Sequence, residues 1–323
     1  MPPPRFDTSA ESERALGRRS LVNLSRMGHC APTVMQTMLD ATGVEAEWLV
    51  KLSAGLPGGI GNTGAECGGV TAPLILFGLR GGLDTKRRRL PLIVYQGHDL
   101  MRRFRACQGT TSCREIRGDD RLPLRCVSVI RKSPSLCART LASECRDVLS
   151  QEQERAYARL YAHWIDQDFH CAHAVLRATP DRMFASEDLR KASSGFLGGT
   201  VFTGMTCSAF TAGVMALGLA LGKLENSRWR VLRMITTMAA GGDAFVDELN
   251  AFNATMNLGH RLSEWFVAEF GTTRCVALTG CDFSTDEGVR RYLENGGTTR
   301  CRVIADSVAR RTQELIEASR SAE

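Results

Sequence analysis

The sequence predicts a mainly α fold made of two homologous helical domains in a pseudo-twofold arrangement. Three observations predict it. Apolar residues recur at helical spacing, and strand-like alternation is nearly absent. The second half of the chain repeats the first at an almost constant offset. Each copy also carries a glycine-rich loop running into a cysteine that opens an apolar, helix-like segment. The copies span residues 12–150 and 151–323, each long enough to bury its own core.

Taken in order, the chain opens with a polar, proline-rich stretch, "MPPPRFDTSAESER", whose residues 1–11 read as a disordered tail. It has no apolar core of a secretory signal. Next, "APTVMQTMLDA" places Val34, Met35, Met38 and Leu39 on one helix face. The loop from Gly55 to Gly64 ends just before Cys67, and an apolar run follows. Cys67, and Cys207 in the second copy, therefore sit near a helix N-terminus, where the dipole and free N–H groups favour a thiolate. No Lys-Ser or Lys-Thr follows the loop and no strand precedes it, so it does not read as a phosphate cradle. "DEGVRRYLENG" and "IADSVARRTQELIEAS" close the second copy with helical pattern and propensity.

The repeat is legible residue by residue. At an offset of 140, Gly55, Gly58, Gly59, Thr63, Gly64, Cys67 and Gly78 match Gly195, Gly198, Gly199, Thr203, Gly204, Cys207 and Gly218. "GTTSCREIRGDD" (109–120) returns as "GTTRCVALTGCD" (271–282). The second copy carries about 22 extra residues around "MAAGGDAFVDELNAFNATM". The repeat sorts the 12 cysteines. Cys30, Cys67, Cys113 and Cys137 pair with Cys171, Cys207, Cys275 and Cys301, while Cys107, Cys126, Cys145 and Cys281 stay unmatched. Four thiols per copy are what a tetrahedral metal or a small iron–sulfur cluster needs. The histidines sort similarly: His29 with His170 and His98 with His260, each of the latter fifteen residues before its cysteine.

Composition narrows the class. The net charge is +6, and the basic runs "KRRR" and "RRFR" lack an aromatic-rich or helix-turn-helix companion, so no nucleic-acid partner is expected. The longest apolar runs are about half a membrane span, so no membrane span is expected. A cytoplasmic protein with this many cysteines points to metal ligation or redox chemistry rather than structural disulfides. No C-x-x-C pair occurs, so a zinc ribbon, a thioredoxin motif and covalent haem attachment all lack their signature.

The residues that carry the repeat resemble the redox-active protein family named for its C_GCAxxG_C_C pattern. The carriers are "HCAPTV" and "HCAHAV", the Gly-Gly loop leading to "ECGGVTA" and "TCSAFTA", the two "GTT-x-C" phrases, and Cys137 and Cys301. Ala72 and Ala212 stand where the family motif has Gly, Gly69 replaces its Ala, and Ser208 replaces its Gly. His29 and His170 stand where the family usually has Asn. The resemblance implies redox-active or cluster-binding cysteines, because a related domain in split-Soret cytochromes carries an iron–sulfur centre. Its haem part has no counterpart here.

On this reading Cys30, Cys67, Cys113 and Cys137 hold one iron–sulfur centre and Cys171, Cys207, Cys275 and Cys301 the other, for electron transfer or redox sensing with an unidentified redox partner protein. Gly58, Gly59, Gly198 and Gly199 let the backbone approach the cofactor. His98 and His260 donate to a cluster sulfur or replace a ligand. The alternatives are metal-free thiol–disulfide exchange, with Cys67 or Cys207 attacking and His29 or His170 helping deprotonation, or a structural zinc site or helical interaction module. The tandem chain is expected to be a monomer that makes a dimer-like interface internally.

Overall fold

The computed structural model describes residues 9–83, 90–118, 124–143, 145–179, 186–226, 228–239 and 254–321. Among these there are helices and two isolated bridges but no strand. The first copy supplies α1 (Ala10–Met27), α2 (Cys30–Thr42), α3 (Glu47–Leu52), α4 (Gly68–Gly81), α5 (Leu92–Gln108), α6 (Cys113–Arg117) and α7 (Leu124–Ala142). The second supplies α8 (Gln151–Asp166), α9 (Cys171–Ala178), α10 (Glu187–Ser193), α11 (Ser208–Leu221), α12 (Arg228–Ala239), α13 (Ala254–Phe270), α14 (Cys275–Thr279), α15 (Asp286–Glu294) and α16 (Gly297–Ser321).

Local chemistry explains where the helices begin and end. Ser9 caps α1 by accepting from the Ser12 N–H, and α1 stops where Gly28 turns left-handed. Of the stretch expected to be a disordered tail, Ala10 and Glu11 belong to α1, and residues 1–8 lie outside the described residues. Ser150 and Gln153 form a reciprocal capping box on α8. The face predicted for α2 is the buried one, with Val34, Met35, Met38 and Leu39 all at most 4% exposed. Most of the extra segment in the second copy, residues 240–253, lies outside the described residues.

The backbone clusters into two compact units, and neither is a contiguous repeat. Unit 1 is Met1–Pro73, Leu100–Glu144 and Leu217–His260; unit 2 is Leu74–Asp99, Cys145–Ala216 and Arg261–Glu323. Each unit thus takes one segment from the other copy, which a cut at residue 150 does not follow. Matched glycines let these segments dock. A Cβ on Gly78 would lie 2.3 Å from the Lys191 carbonyl oxygen within unit 2, and one on Gly218 would lie 2.6 Å from the Lys51 carbonyl oxygen within unit 1.

The same clasp holds two cysteines in each unit. Cys67 N–H donates to the Thr111 carbonyl at 2.9 Å, and Cys113 N–H to the Ala65 carbonyl at 2.6 Å. In unit 2, Cys207 N–H donates to Thr273 at 2.7 Å and Cys275 N–H to Met205 at 2.6 Å. The repeated "GTT-x-C" phrase is therefore half of a short backbone pairing that fixes the second and third cysteines side by side.

Candidate thiol centres

In unit 1 the sulfurs of Cys30 and Cys67 are hydrogen-bonded to each other. Cys30 opens α2 and Cys67 immediately precedes α4. The backbone N–H groups of Ala31, Gly68 and Gly58 also reach the Cys30 sulfur and hold its pKa below the ordinary thiol value, with the Cys67 contact the largest cause. Cys67 is pushed well above that value by the same contact and by burial. Cys113 is pushed up chiefly by burial and feels both Cys30 and Cys126. Burial raises Cys126 to about 11, with Cys30 adding to the shift.

The α7 thiol that interacts electrostatically with Cys30 and Cys113 is Cys126, which sequence matching left out, where Cys137 was expected. Both lie on α7, eleven residues and about 16 Å of helix rise apart. One helix cannot deliver both to the same centre, and Cys126 is the one within electrostatic reach of Cys30 and Cys113. Cys137 is fully buried in the α7 core face. The signal was present in a dipeptide: Arg125-Cys126 returns as Arg300-Cys301, which sets Cys137 against the fully buried Thr312.

Unit 2 gathers the four cysteines predicted for it. Cys171 is hydrogen-bonded to Cys301 and interacts electrostatically with Cys207 and Cys275. Cys171 is pushed well up by the Cys301 contact and by burial. Cys301 is lowered by that contact and by a hydrogen bond from Tyr292. Burial raises Cys207 to about 12 and pushes Cys275 well above the ordinary thiol value.

The pairing therefore differs between copies, and one residue accounts for it. At Gly68, the first residue of α4, a Cβ would lie 2.6 Å from the Cys30 Sγ. The sulfur occupies space that only glycine leaves open. The second copy has Ser208 there, so its Cβ fills that space, and its hydroxyl accepts from the Gly199 N–H at 3.2 Å. The Cys171 sulfur contacts Cys301 instead of Cys207.

Several sequence expectations change on this geometry. The helix N-termini predict thiolates at Cys67 and Cys207, but the Cys30 contact and burial raise Cys67, and burial raises Cys207. The lowered thiols are Cys30 and Cys301, which are also half-exposed, whereas Cys67 and Cys171 are buried. Burial lowers His29 and His170 to about 4, which leaves them poor bases for a neighbouring thiol. The Nε2 of His98 meets the Val201 carbonyl at 2.8 Å.

The predicted glycines take the left-handed backbone that glycine adopts without strain. Gly58, Gly59, Gly198 and Gly199 all have φ between 58° and 82°. At Gly199 a Cβ would also lie 2.6 Å from the Cys275 Cβ, so this glycine seats the third cysteine. Cys145 donates to Asp99 at 3.5 Å and Cys281 to the Thr279 carbonyl at 3.3 Å, while Cys107 accepts from the Gln108 amide at 3.7 Å.

A bound metal or cluster, as the four-cysteine pattern suggests, asks more of the thiols than proximity. Among the described residues, no group of three or more His, Cys, Asp or Glu stands close enough to hold a metal ion. Each centre is two thiols in contact, with further thiols reaching them electrostatically. Also among the described residues, no helix is long and apolar enough to cross a membrane.

The fold is helical and its cysteine-bearing segments occur twice. The family model described as "Putative redox-active protein (C_GCAxxG_C_C)" matches twice, over residues 28–157 and 169–315. The chain belongs to that family as a tandem duplication. No curated protein and no solved structure matches it.

Proposed function

We propose that the protein performs thiol–disulfide redox chemistry, with Cys30–Cys67 and Cys171–Cys301 as its two dithiol–disulfide couples. What supports this reading is that each unit sets one partly exposed cysteine, Cys30 or Cys301, against a buried partner, Cys67 or Cys171. That is the division of labour exchange requires: an accessible thiolate attacks and a second thiol resolves. Oxidation forms one Sγ–Sγ bond per couple and passes two electrons to a disulfide oxidant, whose own bond breaks to give two thiols. The remaining cysteines keep each site apolar and enclosed, and their raised pKa values keep them as thiols.

The test is disulfide mapping. The protein, purified anaerobically and reduced, is oxidised with glutathione disulfide and digested under acid. Bridges at Cys30–Cys67 and Cys171–Cys301 are expected. The same preparation is assayed for iron, sulfide and zinc. Stoichiometric iron and sulfide, protected from alkylation with the eight clustered thiols, would replace this reading by an iron–sulfur centre. Stoichiometric zinc alone would replace it by a structural site.

A further inference from the structure

The two couples differ in which cysteine is the partly exposed one. In unit 1 it is the first cysteine, Cys30, surrounded by main-chain N–H groups. In unit 2 it is the last, Cys301, whose side-chain donor is Tyr292: the phenol O–H lies 3.4 Å from the Cys301 Sγ. The direction of that hydrogen bond follows from its neighbour. Trp164 Nε1–H can only donate, and it points at the Tyr292 oxygen at 3.3 Å. The phenol oxygen is thus an acceptor towards Trp164, which leaves its own proton for the sulfur. Thr298 also hydrogen-bonds the phenol, and His163 Nε2 meets the Thr298 hydroxyl at 3.1 Å.

The ring itself is held in place. Tyr292 packs edge-on against Trp164 and Phe283, with centroids 6.1 and 5.1 Å away. Gly297, at the start of α16, leaves it room, since a Cβ there would come within 2.3 Å of the ring. This is a rigid, buried donor aimed at one sulfur, in the unit where Ser208 has taken the space that the first cysteine's sulfur uses in unit 1.

We propose that Tyr292 is the positioning residue that makes Cys301 the attacking sulfur of unit 2, so that the two couples run with opposite polarity: first cysteine attacking in unit 1, last cysteine attacking in unit 2. This rests on the thiol–disulfide reading. The Cys301 thiolate attacks one sulfur of a disulfide, whose bond breaks and whose far half leaves as a thiol after protonation by solvent. Cys171 then attacks Cys301 in that mixed disulfide, forming the Cys171–Cys301 bond, and its proton goes with the second leaving thiol. A donor already oriented towards Cys301 stabilises negative charge on it as attacker and as the sulfur released when the couple is reduced again.

The experiment uses the full chain and glutathione disulfide. Mixed disulfides are trapped by acid and located by peptide mass in Cys171→Ser, Cys301→Ser and the parent, each with and without Tyr292→Phe. Glutathione is expected on Cys301 in Cys171→Ser and to be absent from Cys171 in Cys301→Ser. Tyr292→Phe is expected to slow attack at Cys301 about tenfold, the worth of one hydrogen bond to a charged group, and to leave the rate at Cys30 unchanged. The Cys30 rate reports folding in the same molecule; should Tyr292→Phe lower it too, Thr298→Val removes a partner of the phenol from the opposite side and is expected to slow Cys301 by a smaller factor. Capture at Cys171, or a Cys301 rate indifferent to both variants, overturns the proposal while sparing the thiol–disulfide reading. No mixed disulfide at Cys30 or Cys301 in any variant overturns that reading itself.

Discussion

A single methylene decides which sulfurs meet. The Cβ that Ser208 carries and Gly68 lacks separates a first-with-second cysteine contact from a first-with-last one. Exchanging the two residues should exchange the contacts. In Ser208→Gly, mild oxidation is expected to yield some Cys171–Cys207 bridge, read by peptide mapping. In Gly68→Ser, the new side chain would overlap the Cys30 sulfur, costing about 1–3 kcal/mol and reducing the Cys30–Cys67 bridge. The histidine before each first cysteine makes a second prediction. His170 is 4% exposed and its pKa lies at about 4, so the unfolded chain protonates first on acidification. Stability from this group is complete above about pH 6.5 and is lost as pH falls towards 4, by about 3 kcal/mol at most. His170→Asn keeps an acceptor for the helix end and removes the titration. Urea melts of this variant across that window are expected to be flatter than the parent's, with His29 and His173 supplying what slope remains.

Among the elements, α7 shows what a linear comparison misses. Anchoring the copies on "GTT-x-C" and then on the next convenient cysteine selected Cys137, because the loop leading into α7 is shorter than the α15-containing stretch of the second copy. The helix itself carries the better register: Arg125-Cys126 returns as Arg300-Cys301, which sets Cys137 against Thr312. Cys126→Ser is expected to change the alkylation rate of Cys30 without shifting the melting midpoint by more than about 0.5 kcal/mol equivalent. Cys137→Ala is expected to leave Cys30 reactivity unchanged and to cost about 1–2 kcal/mol as a small core cavity. Much else at this scale was readable. The α2 face, the glycine loop and the helices over "DEGVRRYLENG" and "IADSVARRTQELIEAS" stand as periodicity and propensity placed them. Thiol acidity was not readable, because the dipole that favours a thiolate is a local property and the burial that opposes it at Cys67 and Cys207 comes from the tertiary fold.

For the molecule as a whole, the duplication was plain in sequence but the compact units were not. Gly78 and Gly218 were visible as a matched pair, yet nothing in a one-dimensional pattern says that each docks on a backbone from the other copy. The consequence is testable by cutting the chain. Residues 1–150 alone lack 217–260, and residues 151–323 alone lack 74–99. Each fragment is expected either to fail to fold or to dimerise by supplying its own segment in place of the missing one, and the two co-expressed are expected to elute together in sizing chromatography. Monomeric, fully helical fragments would show that the exchanged segments are dispensable.

The exchange also changes how damage is inherited along the gene. A lesion at Gly78 is written in the first copy but falls in the unit that holds Cys171 and Cys301, and one at Gly218 is written in the second copy but falls in the unit that holds Cys30 and Cys67. Neither copy can decay or specialise without editing its sibling's centre. Duplicates usually drift apart because one is free to vary; here each is a custodian of the other.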